Sequence, residues 1–192
     1  MAASSPSSAP LRSCGDCTLC CKVMSVESLD KPAGRWCAQC DIGAGCRIYE
    51  ARPQQCDDFN CQWLINPRID AAWRPADSRM VLHYEAFANR MVILVDDARP
   101  DAWRKAPFEA QVRAWANQCL ARGGQCIVMH GARSTAIFPQ REKELGVVGP
   151  HQVLVTLTQR TPMGPRYDVV VMEREEAQRR GITVARRTEA EG

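Results

Sequence analysis

The sequence contains no run of about 18 apolar residues, the length a membrane-crossing helix needs, so no transmembrane span is expected. Basic residues never gather into a long run and the formal charge is only +3, which argues against a nucleic-acid partner. Histidine is scarce. His83, His130 and His151 stand alone, none at zinc-ligand spacing from another, and each reads as structural or surface. Phosphate-binding Gly-x4-Gly-Lys-Ser/Thr, dinucleotide Gly-x-Gly-x-x-Gly, nucleophile-elbow and His-Glu-x-x-His patterns are all missing, leaving no recognisable catalytic motif. Met1–Arg12 lacks the basic start and apolar core of a secretion signal and reads as a disordered tail.

Cysteine, by contrast, is abundant. Nine of the eleven cysteines fall within the 48 residues from Cys14 to Cys61. They run Cys14-x2-Cys17-x2-Cys20-Cys21, then Cys37-x2-Cys40-x5-Cys46, then Cys56-x4-Cys61. An odd total without an export signal weighs against a disulfide framework and favours a reducing, cytoplasmic setting. In that setting thiolates serve most often as soft ligands for zinc, copper(I) or iron–sulfur clusters. Two zinc ions held by eight thiolates would move the formal charge from +3 to −1.

Composition divides the 192 residues into four stretches. After the tail (1–12) comes a cysteine-cluster module (13–63), punctuated into loops by Pro32, Gly34, Gly43 and Gly45, with short helical turns near Arg47–Ala51 and Pro53–Asp58. It has too little apolar sequence to hold itself together, so metal bonds would have to supply much of its folding energy. Residues 64–172 read as an α+β domain. Met80–Tyr84 and Arg90–Val95 predict a hairpin, Gln125–Met129, His151–Thr158 and Tyr167–Met172 further strands, and Thr135–Phe138 a weaker one. One main helix starts at Pro107 and stops at Gly123-Gly124, with Phe108, Val112, Trp115 and Cys119 on its buried face. A charged tail, 173–192, extends as a short exposed helix and then frays. The expected fold is α+β: a loop-rich, cysteine-ligated metal module packed on a small, mostly antiparallel sheet with one main helix.

Cys-x2-Cys places two sulfurs of one tight turn on one ion, and two such pairs complete a tetrahedral zinc site. Cys14/Cys17 or Cys17/Cys20 supplies one pair and Cys37/Cys40 the other. In an extended segment the adjacent Cys20 and Cys21 would point opposite ways, toward different metals or opposite sides of one cluster. Cys14, Cys17 and Cys20 also match the first three positions of the bacterial ferredoxin run, but Cys21 follows at once and no Cys-Pro completes it. A four-iron, four-sulfur cluster closed by a distant cysteine stays open as an alternative.

CGDCTLCC at Cys14–Cys21, WCAQC at Trp36–Cys40 and GCRIYEARPQQCDDFNCQW at Gly45–Trp63 together resemble the bacterial CxxCxxCC cysteine-cluster family, a YkgJ-type domain to which zinc or iron chelation is attributed. The resemblance covers about a quarter of the chain and rests on Cys14, Cys17, Cys20, Cys21, Gly45-Cys46-x-Ile48-Tyr49, Arg52-Pro53, Cys56, Phe59 and Cys61. It implies metal chelation without fixing the metal or a reaction. A flagellin lysine methylase that resembles an iron–sulfur enzyme carries a related cluster, but the rest of this sequence does not match it.

The candidate ligands are therefore Cys14, Cys17, Cys20, Cys21, Cys37, Cys40, Cys46, Cys56 and Cys61, and the expected partners are metal ions: zinc or iron, the latter as ions or a cluster. The leading role is structural, sensing or metal handling; an iron–sulfur redox protein or metalloenzyme is the alternative. Gly45 is expected to permit the turn that aims Cys46 inward. Arg52 reads equally as a hydrogen-bond donor to thiolates or loop carbonyls and as an exposed arginine. Tyr49, Ile48 and Phe59 read as packing, and Cys119 and Cys126 as small core residues that approach each other. Asp57-Asp58 and Asp96-Asp97 read as solvent-exposed turn residues, and His130–Thr135 as a turn or pocket lining.

Overall fold

Met80, Val81 and Leu82 are all buried, although neighbours along a strand point to opposite faces, so both faces of their sheet must be covered. The computed structural model describes residues 12–182 and shows what covers each side. Five strands, β3 (Met80–Glu85), β4 (Arg90–Val95), β5 (Gln125–His130), β6 (Arg133–Ile137) and β7 (Glu142–Val147), form one sheet in that spatial order. Its pairs are antiparallel except β4–β5, which run parallel. A parallel pair needs a long crossover. Helix α5 (Phe108–Ala121) provides it.

Met80, Leu82, Ile93, Val95, Cys126, Val128 and Ile137 face that helix and pack with Val112, Trp115, Ala116 and Cys119. Trp73 extends this core, its ring 4.7 Å from Phe108 and 4.9 Å from Trp115. On the opposite face, Ile127 and Ala136 meet Val169 and Leu154 of a separate ribbon, β8 (Gln152–Thr161) paired with β9 (Gly164–Glu173). The rest of that face, Val81 and Leu94, is covered by Leu19 and Val23 of the cysteine region. Val81 and Leu94 are register partners, so one cross-strand pair forms the seat of the module.

The chain is thus α+β with a mostly antiparallel main sheet and one long helix. Strand β7 and the independence of the β8–β9 ribbon depart from the expected pattern. Glu142–Val147 alternates weakly and carries three charged residues, which hides a strand that pairs only along β6. Arg12, placed with the tail by composition, is anchored: its guanidinium donates to the carbonyls of Trp63 and Ile69, each at 2.7 Å, and lies over the Trp63 ring. The charged segment begins as helix α6 (Arg174–Arg179); its expected fraying lies outside the described residues.

Candidate metal centre

The cysteine region is a chain of tight turns, each closed by its own backbone. Cys17 donates its amide to the Cys14 carbonyl at 2.8 Å, and Cys40 to Cys37 at 3.1 Å. Cys20 and Cys21 are not extended; they open the helical turn α1 (Cys20–Val23) and so point about 100° apart and not in opposite directions. Tertiary contact overrides the extended reading, because this turn presents Leu19 and Val23 to the sheet.

Two short strands, β1 (Cys40–Asp41) and β2 (Gly45–Cys46), pair with Cys40 opposite Cys46. The loop reading missed this hairpin. Gly45 has φ +144°, backbone that a side chain disfavours, as the turn before Cys46 leads one to expect. Helices α2 (Gln54–Asp57) and α3 (Gln62–Ile65) carry Cys56 inside the first and Cys61 just ahead of the second.

Further contacts join these turns or brace the sulfurs within them. Cys37 donates to the Cys21 carbonyl at 3.0 Å, joining the second cysteine group to the first. Thr18, buried, accepts from the Gly43 amide at 3.2 Å and bonds the Cys40 sulfur. Gln39 donates its amide to the Cys37 sulfur at 3.4 Å. The Cys61 sulfur receives the amides of Leu64 and Trp63. Backbone N–H groups directed at sulfur favour the thiolate over the thiol.

Electrostatics shows which sulfurs share a neighbourhood. Hydrogen bonding to Cys20, then burial, raises the Cys21 thiol far above its ordinary value, with opposing help from Cys40 and Lys31. Burial and Cys21 push Cys40 up to about 11. Burial raises Cys14, reinforced by Cys17 and Cys21; it raises Cys56, reinforced by Cys21, Cys37 and Cys46; and it raises Cys61, reinforced by Cys17 and Cys14. Followed from residue to residue, these interactions link all nine predicted cysteines into one network. Cys119 and Cys126 lie apart, in the helix-side core and near each other, as expected of packing residues.

Among the described residues, no three His, Cys, Asp or Glu side chains already form a geometry that holds a metal ion. The fit to a metal therefore rests on donor chemistry. The network consists of thiols whose ionisation is opposed by burial and by one another, and all eleven cysteines are unpaired. A divalent cation removes both objections at once. Zinc or iron would be held by members of the nine, with Thr18 and the amides of Gln39, Trp63 and Leu64 bonding the sulfurs from outside.

Several surrounding residues stand elsewhere than their sequence suggests. Arg52 bonds Asp57 at 2.9 Å and lies over Tyr49, with its charge felt at Cys14 and Cys56; it donates to no sulfur among the contacts described. Tyr49 is largely exposed and packs on Arg52, not in a core. Asp96 is not an exposed turn residue. It is wholly buried and receives Lys22 at 2.5 Å, Arg79, and the Ala98 amide at 3.0 Å. Asp97 follows it at the surface, 3.2 Å from His130, and its carboxylate leaves room only for the hydrogen of Gly34, where a Cβ would collide. His83 stacks on Phe59, 5.1 Å between ring centroids, at the edge of the module.

Thr18 and Lys22 carry no signal of their own in the sequence. Each meets its partner far along the chain, Gly43 and Asp96, and only the flanking cysteines mark the neighbourhood. No protein-family model, curated protein or solved structure matches the chain.

Proposed function

We propose that this protein binds zinc or iron through its cysteine network, in a reducing, cytoplasmic setting, with the metal holding the module folded or being sensed or passed on. The observation that carries this reading is that unpaired thiols from three separate sequence clusters come near enough to act on one another, Cys56 on Cys21, Cys37 and Cys46 being the fullest case. Disulfide bonding would use such sulfurs in pairs. Core packing accounts for Cys119 and Cys126 and in part for Cys17, Cys20 and Cys61, which border apolar clusters. Neither explains amides, a hydroxyl and cations gathered around sulfur. Among the described residues, no helix is long and apolar enough to cross a membrane.

The deciding experiment is anaerobic purification of the full chain followed by metal analysis and an optical spectrum. Stoichiometric zinc without visible colour supports a thiolate zinc site. Brown protein with acid-labile sulfide supports the iron–sulfur form and moves the role toward electron transfer. A folded, oxygen-protected protein without stoichiometric transition metal would overturn the proposal. Chelator titration then divides the roles, because a structural metal leaves slowly and takes the fold with it, whereas a transferred or sensed metal exchanges with the fold intact.

A further inference from the structure

Cys40 and Cys46 are register partners on β1 and β2, so their side chains leave the same face of the hairpin. Antiparallel partners come in two kinds. In the closer kind the two residues share no hydrogen bond, and their Cα atoms stand about 4.5 Å apart. Two backbone bonds identify this pair as the closer kind. Arg47 donates to the Gln39 carbonyl at 2.8 Å, the bond that flanks a non-hydrogen-bonded pair on its outer side. Cys40 sends its own amide back to Cys37 at 3.1 Å and not across to Cys46. A disulfide spans Cα separations of about 4.4–6.8 Å, so these two sulfurs can join while the strands stay where they are. Both cysteines are unpaired and half-buried, within reach of a small reagent.

We propose that Cys40 and Cys46 form a reversible thiol–disulfide switch, closed by a low-molecular-weight disulfide such as oxidised glutathione. One thiolate attacks a reagent sulfur, forming a mixed disulfide and releasing one reagent thiol. The second thiolate attacks the protein sulfur of that mixed disulfide and expels the other reagent thiol. Two S–H bonds of the protein are exchanged for one S–S bond, and two electrons and two protons pass to the reagent. Excess thiol runs the same steps backward. The pair itself stands on backbone geometry; its consequence for the centre rests on the metal reading above and deepens it as regulation. Sulfurs bonded to each other are no longer two thiolates, so closing the bond withdraws two of the nine candidate ligands. The rival partner for Cys40 is Cys37, three residues back in the same turn. Its sulfur is already engaged by the Gln39 amide at 3.4 Å, whereas the paired strands hold Cys46 opposite Cys40.

The test uses the reduced full chain as purified anaerobically, treated with a single equivalent of oxidised glutathione while a chromophoric chelator reports released zinc or iron. Remaining thiols are alkylated, and the chain is cut after arginine and before aspartate, which separates Trp36–Cys40 from Asp41–Arg47. The expected product is those two peptides joined, with fragmentation placing the bond on Cys40 and Cys46 and dithiothreitol separating them. A first bond elsewhere, Cys37–Cys40 included, would overturn the proposal, as would thiols that stay free or mixed disulfides that never close. Metal should leave in proportion to the bond formed and return on reduction. A closed bond with the metal retained would overturn the regulatory role. Purified protein that holds neither zinc nor iron would defeat the metal reading and the regulation with it, whereas the peptide map judges the disulfide pair by itself.

Discussion

The Lys22 ammonium lies 2.5 Å from the Asp96 carboxylate, so the residue that follows Cys21 is bound to the buried end of strand β4. Asp96 also holds Arg79, and its carboxyl would be raised by burial were it not for the hydrogen bonds from Lys22 and Ala98 and the charge of Arg79. These outweigh burial and leave it below the usual carboxylate range. Asp96→Asn keeps the shape and leaves two cations without their counter-charge. Unfolding by urea should show a loss of about 2–3 kcal/mol, less than for a fully buried pair because Arg79 is 38% exposed. A depressed carboxyl contributes stability above its unfolded value, and that contribution fades as pH falls through its folded value. The gap between wild type and variant should therefore be present at neutral pH and close in acid.

The cysteine thiols give the opposite dependence. Burial raises Cys14, Cys40, Cys56 and Cys61, and the bond to Cys20 raises Cys21. A raised group stabilises the fold below its unfolded value and stops doing so as pH climbs through its folded value. Metal-free, reduced protein should lose stability from about pH 9.0, the ordinary thiol value, through about 11, where Cys40 titrates. Loaded protein should fail at the other end. Each proton that the metal displaces makes affinity fall by about one decade per pH unit on acidification. Paired denaturation curves with and without zinc, from acid to alkaline pH, would show the two windows, and a metal affinity independent of pH would contradict the thiolate assignment.

The helix-side half of the fold was legible because its signals are local. Phe108, Val112, Trp115 and Cys119 recur at helical spacing, and the hairpin strands are continuous apolar runs. The nine cysteines were legible as a set for the same reason. Their mutual arrangement was not, because α1, the β1–β2 hairpin and the 26–31 loop are too short for periodicity to report. Asp96 misled for a related reason. An Asp-Asp pair after a strand has the composition of a turn, and only the approach of Lys22 and Arg79, 74 and 17 residues away, makes burial of the first carboxylate tolerable. The β8–β9 ribbon was read as part of the main sheet because strand propensity says nothing about which strands pair.

Cysteines of the two environments should respond differently to substitution. Cys126 is 1% exposed and bonds the Val112 carbonyl at 3.8 Å, and Cys119 packs beside it. Alanine at either removes a small apolar group, which should cost about 1–2 kcal/mol and leave the metal content per folded chain unchanged. Cys21→Ser and Cys40→Ser should do the reverse in a metal assay, lowering stoichiometry or weakening zinc by at least about tenfold. Metal analysis of the four purified variants makes the comparison. Equal metal loss at Cys126 and Cys21 would mean that the metal tracks general stability and not the network.

Thr18 offers the finest test, because its side chain joins the two halves of the site. Its hydroxyl accepts from Gly43 at 3.2 Å and bonds the Cys40 sulfur, so it spans from the first cysteine turn to the β1–β2 hairpin. Thr18→Val fills nearly the same volume, but the Gly43 amide loses its acceptor and Cys40 loses a donor that favours its thiolate. The unmet amide should cost about 1–3 kcal/mol. Because the lost donor acts on the ionised sulfur, zinc affinity should also drop, about 10-fold, even where the variant is fully folded. Thr18→Ser, which retains the hydroxyl, should restore most of the affinity but not the packing of the methyl group. Failure of the serine variant to recover zinc binding would place the effect in packing alone and remove Thr18 from the centre.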